Sequence, residues 1–141
     1  MSVQAVTHLN FQGQARAALA FYQQVFGGEL MQFTYRDAGR TANPADLEHI
    51  VWGQVASPNG FRIMAFDVAS GTPWQQGDNA FYVSLRGDTQ EEISALWDKL
   101  ADGGTVVHGL APAGWSPLYG MLKDRFGIVW VIDVVAGGQA G

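Results

Sequence analysis

Two stretches of the chain carry apolar residues at helical spacing, and both stop at a glycine pair. In "QARAALAFYQQVFGG", Ala15, Ala18, Leu19, Tyr22, Val25 and Phe26 fall on one stripe, and Gly27-Gly28 ends it. In "DTQEEISALWDKLADGG", Ile93, Leu96, Trp97 and Leu100 make the stripe, with Thr89 and Glu92 at capping-box spacing and Gly103-Gly104 as the exit. The spacing predicts two amphipathic helices of similar length. Around them the pattern changes to short runs rich in β-branched and aromatic residues, which read as strands. "VQAVTHLNF" precedes the first helix and "NAFYVSL" the second. "ELMQFTYR", "LEHIVWGQVA" and "FRIMAFDV" follow the first, the last two joined by the turn "SPNG"; "TVVHG", "SPLYGMLKD" and "GIVWVIDVV" follow the second.

The predicted order is therefore βαβββ, twice. The repeat is one of element order and helix punctuation rather than of letters. Two Gly-, Pro- and Asp-rich segments fall outside it as loops, "DAGRTANPAD" at 37–46 and "ASGTPWQQGD" at 69–78. The second separates a first module of about residues 1–70 from a second of about 78–136, within one α+β domain. Trp74 in that loop calls for a packing surface, because a large aromatic ring is costly to leave in water.

Composition narrows the classes. A chain of 141 residues with 48% apolar and 15% charged side chains suits one globular domain. A formal charge of −5, with only eight scattered Lys and Arg, excludes a phosphate-backbone binder, so no nucleic-acid partner is expected. The longest apolar runs fall well short of the roughly 20 residues that cross a bilayer, and "MSVQAVTHLNF" has neither the basic nor the long apolar part of a secretory signal. The expectation is a cytoplasmic protein with no membrane partner. The absence of cysteine removes disulfides, thiolate zinc sites and Cys nucleophiles together.

Three stretches, "FQGQARAALAFYQQVFGGEL", "EHIVWGQV" followed by "FRIMAFD", and "LYGMLKDRFGIVWVIDV", give the chain a resemblance to the PhnB-like family of the vicinal oxygen chelate superfamily, which includes glyoxalases, bleomycin-resistance proteins and extradiol dioxygenases. The resemblance implies paired βαβββ modules forming curved, half-open mixed sheets around a cavity, helices outside, usually as a homodimer. It also implies where a metal would sit: His, Glu or Gln side chains on the first and last strands of each module. Here those strands offer His8, Met64 and Val131, with Asp133 two positions beyond Val131 and no His or carboxylate in "NAFYVSL". A thioether and an aliphatic side chain are poor partners for the ions such sites hold, so no metal and no cofactor are expected. A set improvised from His8, His49 and Asp67 or Asp133 is the alternative.

Period-two alternation sets His8 with Asn10, opposite Leu9 and Phe11, on a face suited to a ligand. PhnB-like relatives tend to have His and Asp at the positions of His49 and Asp67, which could bind or deprotonate a substrate or tie neighbouring strands by a hydrogen bond. His108 reads as a turn histidine facing solvent. Among the aromatic residues Phe66, Trp74, Tyr82, Trp115, Tyr119 and Trp130, several belong to the core and others to a pocket wall, with Trp115 of "PAGWSPLYG" placed on a loop at the sheet's rim. The expected ligand contacts are His8, His49, Met64, Phe66, Asp67, Trp115, Tyr119 and Trp130. Together these readings point to a metal-free small-molecule-binding protein, with a glyoxalase- or dioxygenase-like enzyme, using a His base or an unusual metal site, as the alternative.

Overall fold

Both predicted helices form where their stripes put them, in a computed structural model that describes residues 3–135. In chain order the elements are β1 (His8–Phe11), α1 (Ala15–Phe26), β2 (Glu29–Thr34), β3 (Ile50–Ala56), β4 (Arg62–Asp67), β5 (Val83–Gly87), α2 (Gln90–Ala101), β6 (Thr105–Ala113), β7 (Ser116–Lys123) and β8 (Val129–Val134). A single 3-10 turn, Pro44–Asp46, lies in the 37–46 loop. The fold is α+β, with two open four-stranded mixed sheets ordered β1-β4-β3-β2 and β5-β8-β7-β6. In each, one parallel pair (β1 with β4, β5 with β8) is followed by antiparallel neighbours. The chain divides into two compact units between Gln76 and Gly77. No helix among the described residues is long and apolar enough to cross a membrane.

In the first unit, α1 buries Ala15, Ala18, Leu19, Phe21, Tyr22 and Val25. They meet Leu9, Phe11, Val55, Ile63 and Ala65, which are buried in β1, β3 and β4. Each large apolar side chain so buried contributes about 1.5–3 kcal/mol. In the second unit, Ile93, Trp97 and Leu100 of α2 are buried, as are Leu122, Trp130, Ile132 and Val134 of its sheet. The alternation expected for β1 holds: Leu9 and Phe11 are buried while His8 and Asn10 are exposed.

Both glycine pairs do more than stop a helix. A Cβ on Gly28 would lie 2.2 Å from the Ala56 carbonyl oxygen, and one on Gly104 would lie 2.3 Å from that of Lys123. Each chain leaves its helix by passing directly against the strand beside it, which only glycine permits.

The strands depart from the sequence pattern in three places. "VQAVTHLNF" is extended in the sheet only from His8, and "NAFYVSL" only from Val83. Asn79 has φ 62°, a left-handed conformation that breaks an extended run, and Tyr82 Oη donates to its Oδ1 at 2.8 Å. Conversely β6 runs on to Ala113, so His108 stands within a strand, exposed, rather than in a turn.

Candidate functional site

The side of each sheet away from its helix is where side chains can meet a ligand, and strand register shows which residues share it. In the first sheet His8 pairs with Met64, Met64 with Gln54, and Gln54 with Met31. Two residues along each strand, Asn10 pairs with Phe66 and Trp52 with Phe33. Alternation puts all eight on one face. His8 Nδ1 is 3.0 Å from Asn10 Oδ1, and its ring meets Phe66 edge-on at 5.0 Å and 69°. Trp52 Nε1–H donates to Met64 Sδ at 3.2 Å, and the Trp52 ring stacks on Phe33 at 6.1 Å and 24°. Met31 and Phe33 remain 51% and 46% exposed. These two rows are thus three aromatic rings, two thioethers, two amides and one imidazole, and the next row of the face is Arg62, Ala56 and Glu29.

Asp67 faces the other way. It is 1% exposed, and its carboxylate accepts from Gly13 N at 2.7 Å, Ala15 N at 3.0 Å and Ile50 N at 2.9 Å. Its carbonyl accepts from Tyr35 Oη at 2.6 Å. Asp67 therefore caps α1 from across the sheet, and both carboxylate oxygens are engaged by backbone amides. The expectation that it meets a ligand does not fit this placement. Burial, followed by the charges of Asp46 and Asp67, pushes the Tyr35 phenol above its ordinary range.

His49 is likewise separate from His8. Its ring lies over Gly13, where an added Cβ would be 3.8 Å from Nε2, and Nδ1 is 3.6 Å from Asp46 Oδ1. Asp46 also accepts from the Ser70 backbone N–H at 3.0 Å and closely from the Ser70 hydroxyl. These Ser70 bonds, the hydroxyl's first, hold the Asp46 carboxyl below the usual range, and His49 adds to the effect. With Gln12 Nε2 donating to Thr72 O at 3.2 Å, this cluster pins the start of the 69–78 loop.

In the second sheet the corresponding face carries Ser84, Val131, Met121 and His108 in one row and Arg86, Asp133, Tyr119 and Ala111 in the next. Trp115 sits in the β6–β7 turn, 61% exposed, its ring edge-on to Tyr119 at 5.1 Å and 73°. Trp130 is on the helix side, fully buried, and its Nε1–H donates to Asp124 Oδ2 at 2.9 Å. Trp130 is core, and the expectation that it lines a pocket fails because no part of it is open to solvent.

Of the expected contacts, register brings together His8, Met64 and Phe66 in one unit, and Tyr119 with Trp115 in the other. Sequence reasoning missed Trp52, Phe33, Met31, Gln54 and Arg86. Asn10 was legible from the same alternation as His8, but the others needed strand pairing to be seen on the same face. The donor set beside His8, a thioether and neutral amides, does not fit a divalent ion. No three His, Cys, Asp or Glu among the described residues are placed to hold one.

Known proteins bear on this geometry. Residues 3–133 match the family described as 3-demethylubiquinone-9 3-methyltransferase. Protein PA1353 of Pseudomonas aeruginosa is 32% identical, with a TM-score of 0.82 over 96% of this chain and 99% of its own. Protein YjdN of Escherichia coli K12 is 26% identical over 91% of this chain and 92% of its own. At the level of fold, a PhnB protein of Bacillus cereus aligns with a TM-score of 0.71 at 23% identity, covering 94% of this chain and 100% of its own. A glyoxylase/bleomycin resistance protein/dioxygenase domain of Frankia aligns with a TM-score of 0.65 at 12% identity, covering 96% and 98%. Two open mixed sheets in βαβββ order share the fold of the glyoxylase/bleomycin resistance protein/dioxygenase domain, and the family match over almost every described residue places the chain in the PhnB-like family described as 3-demethylubiquinone-9 3-methyltransferase.

Proposed function

We propose that the protein binds a small, flat, largely apolar molecule on the open face of its first sheet, without a metal ion. The observation that carries this reading is the composition of two adjoining rows of that face: Phe33, Trp52 and Phe66 with Met31 and Met64, and one titratable group among them, His8, with the charged Arg62 and Glu29 set apart in the next row on either side of Ala56. Rings and thioethers supply contact area and polarizability, while His8, Asn10 and Gln54 supply the few polar contacts that orient a ligand. Binding of 2-naphthol, followed through the Trp52 indole N–H signal, tests it. Trp52→Ala, with binding read by calorimetry because the indole signal is gone, should weaken it roughly ten-fold, equivalent to about 1.4 kcal/mol. Unchanged affinity would remove this face from the reading. Elemental analysis should find no stoichiometric divalent ion in the purified protein, and a chelator should leave its thermal midpoint where it was.

The methyl transfer in the family's description finds little support in these residues. A nucleotide-like cofactor uses free amides at a strand-to-helix turn. At the β1–α1 turn the Gly13 and Ala15 amides are already held by Asp67, and at the β5–α2 turn the Glu92 amide is held by Thr89.

One observation favours a second reading, in which the same face belongs to an enzyme. With Asn10 Oδ1 accepting from Nδ1, the lone pair of His8 resides on Nε2, oriented as a general base would be. That reading predicts exchange of the acidic C–H protons of phenylacetone with solvent deuterium, lost in His8→Gln; no catalysed exchange leaves the binding reading alone. We also propose a homodimer, since Met31 and Phe33 are half-exposed on this face, and, from the chain's composition, a cytoplasmic location. A monomer by sedimentation equilibrium at micromolar concentration counts against it.

A further inference from the structure

The open face of the second sheet carries an ion pair where the first carries an amide and a ring. Asp133, 7% exposed, accepts from Arg86 Nε at 3.0 Å. The Arg86 side chain is 54% exposed and makes no other hydrogen bond or ion pair among the described residues. A guanidinium has five N–H donors, so four remain free after Asp133 has taken the one on Nε. Directly across from Asp133 stands Tyr119, whose hydroxyl has no hydrogen-bond partner among the described residues, and beside Tyr119 stands the exposed Trp115 ring.

Two other ion pairs show how this one differs. Arg36 with Glu48 and Arg125 with Asp102 join side chains that are all at least 40% exposed, as solvated surface pairs are. In Arg86–Asp133 the carboxylate is 9% exposed and the cation is not. Charge there is not part of the frame the two sheets share, because Asn10 and Phe66 fill the matching register positions of the first sheet without any. A buried acid gripping only Nε fixes the guanidinium plane and leaves its Nη donors for something else.

We propose that Arg86, positioned by Asp133, forms with Tyr119 and Trp115 a site for a small aryl oxyanion, the Nη donors and the Tyr119 hydroxyl taking a carboxylate or phosphonate group and the Trp115 ring taking the aryl group. Paired oxygens of a carboxylate or a phosphonate match the guanidinium fork, and the adjoining Asp133 charge keeps affinity modest. Its residues all belong to the second unit, and the probe of the first sheet's face reads Trp52 instead.

Benzoate and phenylphosphonate, titrated into the full chain with benzyl alcohol as the neutral control, test the proposal through the Arg86 Nε–H and Trp115 indole N–H signals. Both anions should shift both signals, and benzyl alcohol should shift neither. Arg86→Gln should weaken benzoate binding roughly ten-fold or more, the effect of losing charge-assisted hydrogen bonds. Equal shifts from benzyl alcohol, or unchanged benzoate affinity in Arg86→Gln, would overturn the site. Should Arg86→Gln unfold because Asp133 is left unpaired, the double variant Arg86→Gln/Asp133→Asn restores a neutral pair, and benzoate binding that persists in it overturns the proposal equally.

Discussion

Gly53 in the first unit and Gly120 in the second occupy the same place: the central strand, opposite Ala65 in one sheet and Ile132 in the other, under the helix. A Cβ on Gly53 would lie 2.3 Å from Leu19 Cδ1, and one on Gly120 would lie 2.8 Å from the Trp97 ring. The units thus repeat on their packed sides to the level of single residues, including the second glycine of each helix exit. Their open sides do not repeat. His8 answers to Ser84, Asn10 to Arg86, Met64 to Val131 and Phe66 to Asp133. Packing a helix on a sheet imposes the same steric demand twice, whereas the open faces are shaped by what each is asked to hold.

The sharpest break between the units lies in how their helices begin. α1 has no side-chain cap of its own and relies on Asp67, more than fifty residues away, while α2 is capped by Thr89 three residues from its partner. Asp67→Ala should therefore be the most damaging of the substitutions considered. It leaves the Gly13, Ala15 and Ile50 amides without acceptors, at about 1–3 kcal/mol for each buried donor left unpaired. Urea unfolding should show a loss of roughly 3 kcal/mol or more, unless water enters to satisfy those amides. A loss under about 1 kcal/mol would mean that the buried carboxylate contributes no more than an ordinary local cap.

The glycine pair distinguishes two equal-looking positions. In Gly53→Ala the new methyl meets the end of a Leu side chain, which can rotate away. In Gly120→Ala it meets a rigid indole and, at 3.0 Å, the His108 carbonyl oxygen. Overpacking costs about 1–3 kcal/mol, and Gly120→Ala belongs at the upper end with Gly53→Ala at the lower. Thermal midpoints of the two variants check the order; the reverse order would show that Leu19, not Trp97, is the locked side chain.

Much of this was legible in the sequence, and what was not has a common cause. Both helices, the Thr89 cap, though without the return bond of a full capping box from Glu92, and the outward face of His8 follow from spacing within a few residues. Asp67 as a cap, Trp130 as core and Trp52 beside Met64 depend on which strands pair and in which register. The stripe of α1 gains Phe21, whose burial depends on tertiary neighbours rather than on spacing alone, and Phe26 at its end is only half-buried. The strand at "NAFYVSL" was read too early because Asn79 takes a left-handed conformation that no apolar pattern announces.

The loop cluster of Asp46, Ser70 and His49 gives the first unit a pH response that can be tested. Because the Asp46 carboxyl is held low in the fold, its contribution is present above the unfolded carboxylate's pKa of about 3.9 and is lost as pH falls through the lower folded value. In Asp46→Asn, stability should be reduced near neutrality, and its deficit against the natural protein should shrink as the solution is acidified. Parallel stability curves at all acid pH values would show that Asp46 does not titrate with unfolding.

Thr89→Ala is expected to have the smallest effect, and it isolates the local half of the comparison. Thr89 Oγ1 accepts from the Glu92 amide at 3.2 Å, and its hydroxyl lies 3.3 Å from Glu92 Oε1. The cap is solvent-exposed, so water replaces it when the hydroxyl goes, and the cost should be about 1 kcal/mol. Glu91 and Glu92 remain in the first turn, where their charge continues to favour the positive end of the helix. Thr89→Ser, which keeps the hydroxyl, should recover most of the loss in urea unfolding. If Thr89→Ala instead matched Asp67→Ala, the distinction between a local, solvated cap and a distant, buried one would have no energetic meaning in this fold.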